Sequence, residues 1–475
     1  MNWSLDDVLV ATDGILMGRR HSDEILFSFI ETDTRKLEPG SVFVAIKGER
    51  FDGHDFIMEA IKKGAGAIVY SRSDITDSIH TVPGVYFVYV EDTRKALADL
   101  ACFRRRKFPG PMIGVTGSNG KTSTKEMIAL VLGRKYRVFK TPANWNNDIG
   151  VSLSIFQMPD DVDAVVLELG INHFGEMDQL VDVVEPTVGV ITNIQPAHLE
   201  GFDSLEGVLR EKTKLWQKLP NDGVAVINLD DPLLAKYAAG LTKSKITFGR
   251  SVNADVHVEG LIDLSLDGMT FSVRFGEKVV PCNLRAFGEH YVMNALCAVA
   301  VGLQLGVSLD DAVEALRAWT LVEHRMQKME LSDGTIIFDD CYNANPGSMT
   351  RAIETVAFLA EKHKRPLVLV LGDMKELGRD SENLHGKIGK IAASKNPHMV
   401  VTAGREAKAI FEEFQKGCAT LSYHFDAGDG GKIDHSMIAQ WLQKNWIAGA
   451  IFLFKASRAM EFEKVIDQIM QWKPR

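Results

Sequence analysis

The sequence predicts an α/β protein of three domains, and three observations predict it. The chain has 475 residues, enough for two to four domains at roughly 100–200 residues each. Short β-branched apolar runs recur along it with helical patterns between them, the alternation that builds parallel sheets with helices on their faces. One of those runs, MIGVTG at 112–117, leads through a glycine-rich turn straight into a helix. Hydrophobic residues at 45% and charged residues at 25% exclude wholesale disorder, a collagen-like chain and a disulfide-stapled miniprotein.

Block by block, the elements follow. Residues 1–106 carry short strands at 41–48 (SVFVAIKG) and 84–90 (GVYFVYV). The basic stretch RRRKFPGP at 104–111 then reads as a linker, its positive charges fitting a solvated surface turn. Residues 107–323 hold the strand at 112–117, a helix over 121–132, and apolar strands at 163–170, 188–194 and 224–231. From 248 to 285 polar and apolar residues alternate, as in an antiparallel addition. The longest apolar run, at 291–307, is broken by Asn294 and Gln304 and reads as a buried helix, too interrupted for a membrane span. Residues 324–475 form a second α/β unit, with strands at 335–340, 366–373, 398–404 and 449–456, compatible with a doubly wound, Rossmann-like domain.

Lys plus Arg is 54 and Asp plus Glu is 63, a net charge of −9. That balance argues against a nucleic-acid partner, which needs clustered positive charge, but a local pocket can still take an anion. Five cysteines, none spaced as CxxC, suggest reduced thiols and a cytoplasmic location. The N-terminal stretch MNWSLDDVLVATDG has acids where a signal peptide needs basic residues.

The strongest local signal is GVTGSNGKTSTKEM at 114–127. Glycines let the backbone turn so that N–H groups from Gly117, Ser118, Asn119, Gly120, Lys121, Thr122 and Ser123 point at phosphate oxygens. The helix that follows adds its positive end. Lys121 can reach the β- and γ-phosphates, and the Thr122 hydroxyl can bind magnesium. Two residues, not four, separate Gly117 from Gly120, so the match to the general phosphate-loop pattern is partial. Glu168, at the end of the strand 163–170, stands where parallel sheets present ligand-contacting groups. Such an acid is either merely solvated or, beside a phosphate loop, a metal ligand.

Two further residues leave both readings open. Helix 207–219 has an apolar stripe of Val208, Leu209, Leu215, Trp216 and Leu219, and Lys212 falls inside it. Its stem either snorkels from the stripe's edge or its amine is desolvated, neutral and able to add carbon dioxide. His198 follows a strand end and is either a hydrogen-bonded structural residue or a ligand, although imidazole is not magnesium's preferred partner.

These segments together are specific. TGSNGKTST, TPANWNND (141–148), ELGINHFGEM (168–177), TNIQPAHLEGF (192–202) and the Lys212 helix resemble the Mur ligase family in order and spacing. The segment 33–56 resembles its UDP-binding start. In the third block, DDCYNANPGSM (339–349), GDMKELG (372–378 with the later His385) and KASRAM (455–460) resemble the branch that adds D-alanyl-D-alanine to UDP-N-acetylmuramoyl-tripeptide. There are departures: Thr34 stands where serine is common, Ala143 where glycine is frequent, and residues 151–153 lack a frequent proline. The DNPR-type motif of the branch that adds the third amino acid is absent, which argues against that sibling. A P-loop kinase or NTPase would need no amine acceptor, and a UDP-sugar sensor would need no metal-bearing Glu168, His198 and Lys212.

The resemblance implies a three-domain architecture: UDP-sugar binding in 1–106, ATP binding on a central P-loop sheet in 107–323, and D-alanyl-D-alanine binding in a Rossmann-like 324–475. It implies an ATP-dependent ligase of peptidoglycan synthesis working through an acyl phosphate. Lys121, Glu168, His198 and Lys212 are then catalytic. Thr122 and Glu168 hold one Mg2+, and His198 with carbamylated Lys212 a second. Asn294 resembles the adenine contact, and Arg325 and Asp340 nucleotide contacts. Thr34, Arg35 and Lys47 fit the UDP-sugar, and Asn147 lies between nucleotide and acyl substrate. Asn343, Asn345 and Ser348 sit where dipeptide or nucleotide is met. Residues 324–326 are the expected hinge, and the expected state is a monomer.

Overall fold

The strand Met112–Thr116 is buried along its whole length, as a strand covered on both faces must be. It lies between two parallel partners, Ala164–Glu168 and Val188–Ile191. The computed structural model describes residues 2–18, 26–48, 50–75, 79–195, 199–320, 323–428 and 432–472, and among these three main sheets dominate. The middle sheet has nine strands. After Met112–Thr116 the chain moves to one side, through Val138–Lys140 and Ala164–Glu168, then returns to the other side at Val188–Ile191 and continues outward through Val224–Asn228 and Ser244–Gly249. The reversal puts a crevice at the carboxyl ends of Met112–Thr116 and Ala164–Glu168, the place where such sheets take ligands. Strands Val256–Ser265, Gly268–Phe275 and Lys278–Leu284 extend the sheet antiparallel to one another.

A six-stranded sheet occupies the C-terminal part. Its order is Gln327–Glu330, Ile336–Asp340, Ile451–Lys455, Leu367–Gly372, Met399–Ala403 and Leu421–Phe425, parallel except for the first. Asp340 and Lys455 are register partners at two strand ends, so the pairing of their charges is dictated by the register. The N-terminal five-stranded sheet runs Ile15–Met17, Tyr86–Tyr89, Ala67–Tyr70, Val42–Val44 and Ile30–Glu31.

Helix Lys121–Leu132 packs its apolar face against the helix Glu289–Gln304 within one continuous core. The latter is buried on nearly all sides, from Tyr291 through Gly302, which explains its lack of amphipathic periodicity. Each fully buried Val or Leu there contributes about 1.5–3 kcal/mol, so the phosphate-loop helix is anchored along its back.

The basic stretch at 104–111 does connect the units, with Arg106 and Lys107 exposed, but its first two charges are not solvated. Helix Thr93–Arg106 ends within it, and Arg104 and Arg105 are buried. Arg105 donates to the carbonyls of Val184 and Glu185 at 2.7 and 2.8 Å, at the carboxyl end of the helix Glu176–Val184. A cation there satisfies orphan carbonyls and opposes the helix dipole. Arg104 donates to the Met158 carbonyl and pairs with Asp160. The charges thus dock the first unit onto the second.

Candidate active site

The phosphate loop leaves its strand at Gly117, φ 144°, and enters the helix at Gly120, φ 80°. Both lie in the region that favours glycine. A Cβ on Gly117 would run into the Thr192 hydroxyl, and one on Gly120 into the Asn294 amide. Gly120 caps the helix without a side chain, so the first-turn N–H groups are free to meet an anion. Ser118 exchanges hydrogen bonds with the Gln195 backbone, both 2.9 Å. Asn119 donates to Gln195 Oε1 at 2.9 Å. The loop is therefore held rigid from behind.

Lys121 lies in the same cradle, its Nζ 3.0 Å from the Gly117 carbonyl. Desolvation lowers its pKa, the nearby Arg325 adds to that, and Glu168 opposes it. Glu168 is 1% exposed. Its Oε1 accepts from Asn146 Nδ2 at 2.9 Å, while its Oε2 is buried with no hydrogen-bond partner. Arg325 Nη2 donates to Thr122 Oγ1 at 3.2 Å, and the guanidinium lies 4.0 Å from the Tyr342 ring centroid.

These groups line one cavity of about 590 Å3. The structure brings to it Ser118, Asn119, Gly120, Lys121, Thr122, Ser123, Asn147, Glu168, Asn294, Arg325, Asp340, Asn343, Asn345 and Ser348. Gly117 forms the bend beneath. Asn147 N-caps the helix Asp148–Phe156 through its Oδ1. Asn345 does two jobs: its Oδ1 caps the helix Pro346–Lys362 in a reciprocal pair with Ser348, and its Nδ2 reaches Asn119 Oδ1 at 2.7 Å. Arg351 donates to the same Gln195 that supports the phosphate loop. The C-terminal unit is thus closed onto the middle one, and His324 and Met326, in the expected hinge, both have positive φ.

Other expected residues lie elsewhere. Lys212 is 2% exposed, so its stem does not snorkel. Desolvation drives its pKa well down, the Lys121 charge adds to that, and Glu211 opposes it. His198 lies outside the described residues. Thr34 is buried in the first unit, where its carbonyl accepts from Lys63. Arg35 faces solvent and pairs with Asp33. Lys47 is exposed and bridges to Asp52. None of these three lines the phosphate-loop cavity. A second cavity, about 980 Å3, lies between helix Thr93–Arg106 and the middle unit and shares Asn147, Gly170 and Asn172 with the first.

Sequence reasoning missed several residues on the cavity wall: Asn144, Asn146, His290, Tyr342, Arg351, Lys375, Lys455 and Arg458. Asn146, Lys375 and Lys455 lie in stretches that were recognisable as motifs, yet nothing in the spacing says which side chain faces inward. Lys455 is buried and paired with Asp340 at 2.6 Å, and also donates to the Asn343 carbonyl. His385 stays behind the wall. Its Nε2 accepts from the Met374 N–H at 2.9 Å, and its Nδ1 lies 2.7 Å from the Ser381 carbonyl. Burial lowers its pKa, and the neutral ring fastens the turn that carries Lys375.

Comparison with known proteins agrees with this geometry. Residues 26–105 match the family model described as Mur ligase family, catalytic domain; residues 115–302 match Mur ligase middle domain; and residues 324–458 match Mur ligase, glutamate ligase domain. UDP-N-acetylmuramoyl-tripeptide--D-alanyl-D-alanine ligase of Bacillus subtilis (strain 168) is 35% identical over 447 residues, 93% of each chain. The enzyme of the same name from Escherichia coli (strain K12) is 36% identical over 398 residues, 83% of this chain and 85% of its own. A crystal structure of MurF from Acinetobacter baumannii superposes with a TM-score of 0.88 at 31% identity, covering 99% of both chains. MurF ligase from Thermotoga maritima, solved in complex with ADP, gives 0.81 at 29% identity over 93% of this chain and 97% of its own.

Proposed function

The chain belongs to the Mur ligase family, and from that premise we propose that it adds D-alanyl-D-alanine to UDP-N-acetylmuramoyl-tripeptide, converting ATP to ADP and phosphate and yielding a peptidoglycan precursor. One observation carries the reading: a single cavity joins the phosphate loop, Glu168 and the strand ends of the C-terminal sheet. Its relatives at 30% identity or more, matched over most of their length, bear the name of this reaction.

A carboxylate does not accept an amine at neutral pH, because oxide would have to leave. The tripeptide carboxylate therefore attacks the γ-phosphorus of ATP, ADP departs, and the resulting acyl phosphate has a good leaving group. The D-alanyl-D-alanine amine adds to the acyl carbon, and the tetrahedral intermediate expels phosphate as the nitrogen loses its proton. The task of the protein is to bring anions together and hold them in line. The Ser118 and Asn119 N–H groups are held by Asn193, so the amides of the helix's first turn and Lys121 take the triphosphate, and Arg325 adds charge from the opposite wall. Asn294 meets the adenine, and Asp340 the nucleotide. Asn147, on the rim shared by the phosphate-loop cavity and that beside helix Thr93–Arg106, lies between nucleotide and acyl chain. Thr34, Arg35 and Lys47 serve the UDP-sugar in the unit 1–106; the unit 107–323 takes ATP, and 324–475 the dipeptide by way of Asn343, Asn345 and Ser348. Closure of the last unit keeps water from the acyl phosphate.

Thr122 and Glu168 fit a divalent cation. Both offer oxygen, which Mg2+ prefers, and the buried Glu168 Oε2 without a partner is an acceptor of the kind a hard cation satisfies. Mg2+ held there with ATP would spread the charge of the phosphates. For Lys212 the finer reading is carbamylation. An enclosed amine beside Lys121 is disfavoured as a cation, and addition of carbon dioxide with loss of a proton makes it an anion. A carbamate signal in 13C spectra after labelled bicarbonate, absent from Lys212→Met, is expected; its absence from the parent removes this part. We place the enzyme in the cytoplasm, as a monomer. Among the described residues no helix is long and apolar enough to cross a membrane.

The test is mass spectrometry of the product from UDP-N-acetylmuramoyl-tripeptide, ATP, Mg2+ and D-alanyl-D-alanine. The expected product is the pentapeptide. Product with a free diamino acid instead would move the chain to the sibling branch, and phosphate release without any amine would make it an NTPase.

A further inference from the structure

One turn along the phosphate-loop helix from Lys121, Lys125 is wholly enclosed, at 0% exposure. Lysine is almost never buried to that degree unless its ammonium is matched. Its Nζ donates to the carbonyls of Thr141 at 2.8 Å and Ala143 at 3.2 Å. Its charge is met by Glu126 at 3.2 Å, a carboxylate shared with Lys140. Lys125 does not line the cavity, so no role in contacting phosphate accounts for it.

What those two carbonyls support is the turn that leads to Glu168. The Thr141 hydroxyl accepts the Glu168 N–H at 2.8 Å. Asn146, three residues beyond Ala143, donates to Glu168 Oε1 at 2.9 Å, and its carbonyl accepts the Gly170 N–H at 2.8 Å. Backbone and side chain of Glu168 are therefore both fastened to the segment 141–146. Between the two attachment points Ala143 is in the left-handed region, φ 45°, a conformation an L residue does not keep without outside support. The same helix thus carries Lys121 at its first turn for the phosphates and Lys125 one turn on for the neighbouring strand's carboxylate.

The geometry points to Lys125 as a positioning residue that, by holding the carbonyls of Thr141 and Ala143, aims the free oxygen of Glu168 into the cavity. It rests on the reading of Glu168 as a cation ligand. Partners one step removed from a metal ligand typically alter metal affinity about 10–100-fold when lost. In the full-length chain, Lys125→Met is expected to raise the Mg2+ concentration needed for ADP binding about tenfold, read by calorimetry. It should also speed amide exchange at residues 141–147 with neither metal nor nucleotide present. Thr141→Val cuts the next link while leaving Lys125 in place and should weaken Mg2+ dependence in the same direction; it carries the test if Lys125→Met does not fold. Glu168→Gln is the control. Should it leave the Mg2+ requirement unchanged, the ligand reading of Glu168 fails and takes this proposal with it. Should Glu168→Gln raise the requirement while the variant carrying the test matches the parent, the positioning role alone is overturned, whatever has happened to its melting temperature.

Discussion

The two walls of the cavity are built by different means. On the middle unit, the phosphate-binding groups come from consecutive residues of one turn, and their direction is set by backbone torsions at Gly117 and Gly120. On the C-terminal unit, Arg325, Asp340, Lys375 and Lys455 arrive on separate strand ends and loops; sheet register and their own ion pair aim Asp340 and Lys455, and Asp373 with Glu406 holds Lys375. The first wall is an anion cradle shaped by neighbours in sequence and braced from behind by Thr192 and Gln195. The second exists only when the whole sheet is folded. Loss of a side chain should therefore cost chemistry on the first wall and stability on the second.

The largest effect tests the first half of that contrast. Lys121→Ala removes the charge that meets the developing phosphate charge, and kcat is expected to fall by about 10³-fold, in the range of a lost electrostatic stabiliser. Its unfolding midpoint should change little, because desolvation already disfavours the charged form of Lys121. Product formation and denaturant unfolding on the same sample check both statements. A large loss of stability would erase the distinction between the walls.

Asp340→Ala tests the second half. Lys455 is 2% exposed, and removing its partner leaves a buried charge uncompensated, which costs about 3–5 kcal/mol. The Asp340→Leu, Lys455→Met double variant should recover most of that stability while remaining inactive. A single variant as stable as the parent would mean that register, without the ion pair, holds the second wall.

The same contrast explains what could be read before folding. The strand–turn–helix at 112–132 is legible because its chemistry depends on neighbours in sequence, and the helix Lys121–Leu132 begins at the expected lysine. Glu168 was legible as a strand-end acid, but its support by Asn146 was not, since the two are 22 residues apart and meet only through adjacent strands. Arg104 and Arg105 were read as a linker because local composition does not show that the carbonyl end of another helix lies against them. Lys212 was ambiguous for a related reason. A stripe of apolar residues says which face is inward, and only the packing shows how deep that face lies. The edge strand Leu421–Phe425 escaped notice because its residues alternate with exposed neighbours and lack a continuous apolar run.

His290 joins the two walls and offers a pH test. Burial lowers its pKa to about 3, helped by Arg351 and Lys455 from the opposite wall. The folded chain thus binds a proton less readily than the unfolded one. Stability from this group is intact above its ordinary value near 6.5 and is lost as pH falls toward 3. Between pH 7 and pH 5 the loss is up to about 2 kcal/mol. His290→Gln should show a correspondingly smaller fall in melting temperature over that interval. An identical fall in both proteins would mean that the C-terminal wall does not impose its charge on the middle one.

The smallest effect concerns the turn between the phosphate-loop helix and Glu168. Ala143 holds φ 45° and its side chain is exposed, so the methyl contributes strain without much packing. The left-handed conformation costs an L residue about 1–2 kcal/mol, while glycine carries about 0.5–1 kcal/mol of additional chain entropy into the unfolded state. Ala143→Gly should therefore stabilise the protein by about 0.5–1 kcal/mol, the difference between those two terms, in denaturant unfolding. Its carbonyl keeps the hydrogen bond from Lys125 in either case, so activity should stay near that of the parent. A destabilised Ala143→Gly would show that the restricted backbone at this position, and not only the lysine beneath it, keeps the turn in place.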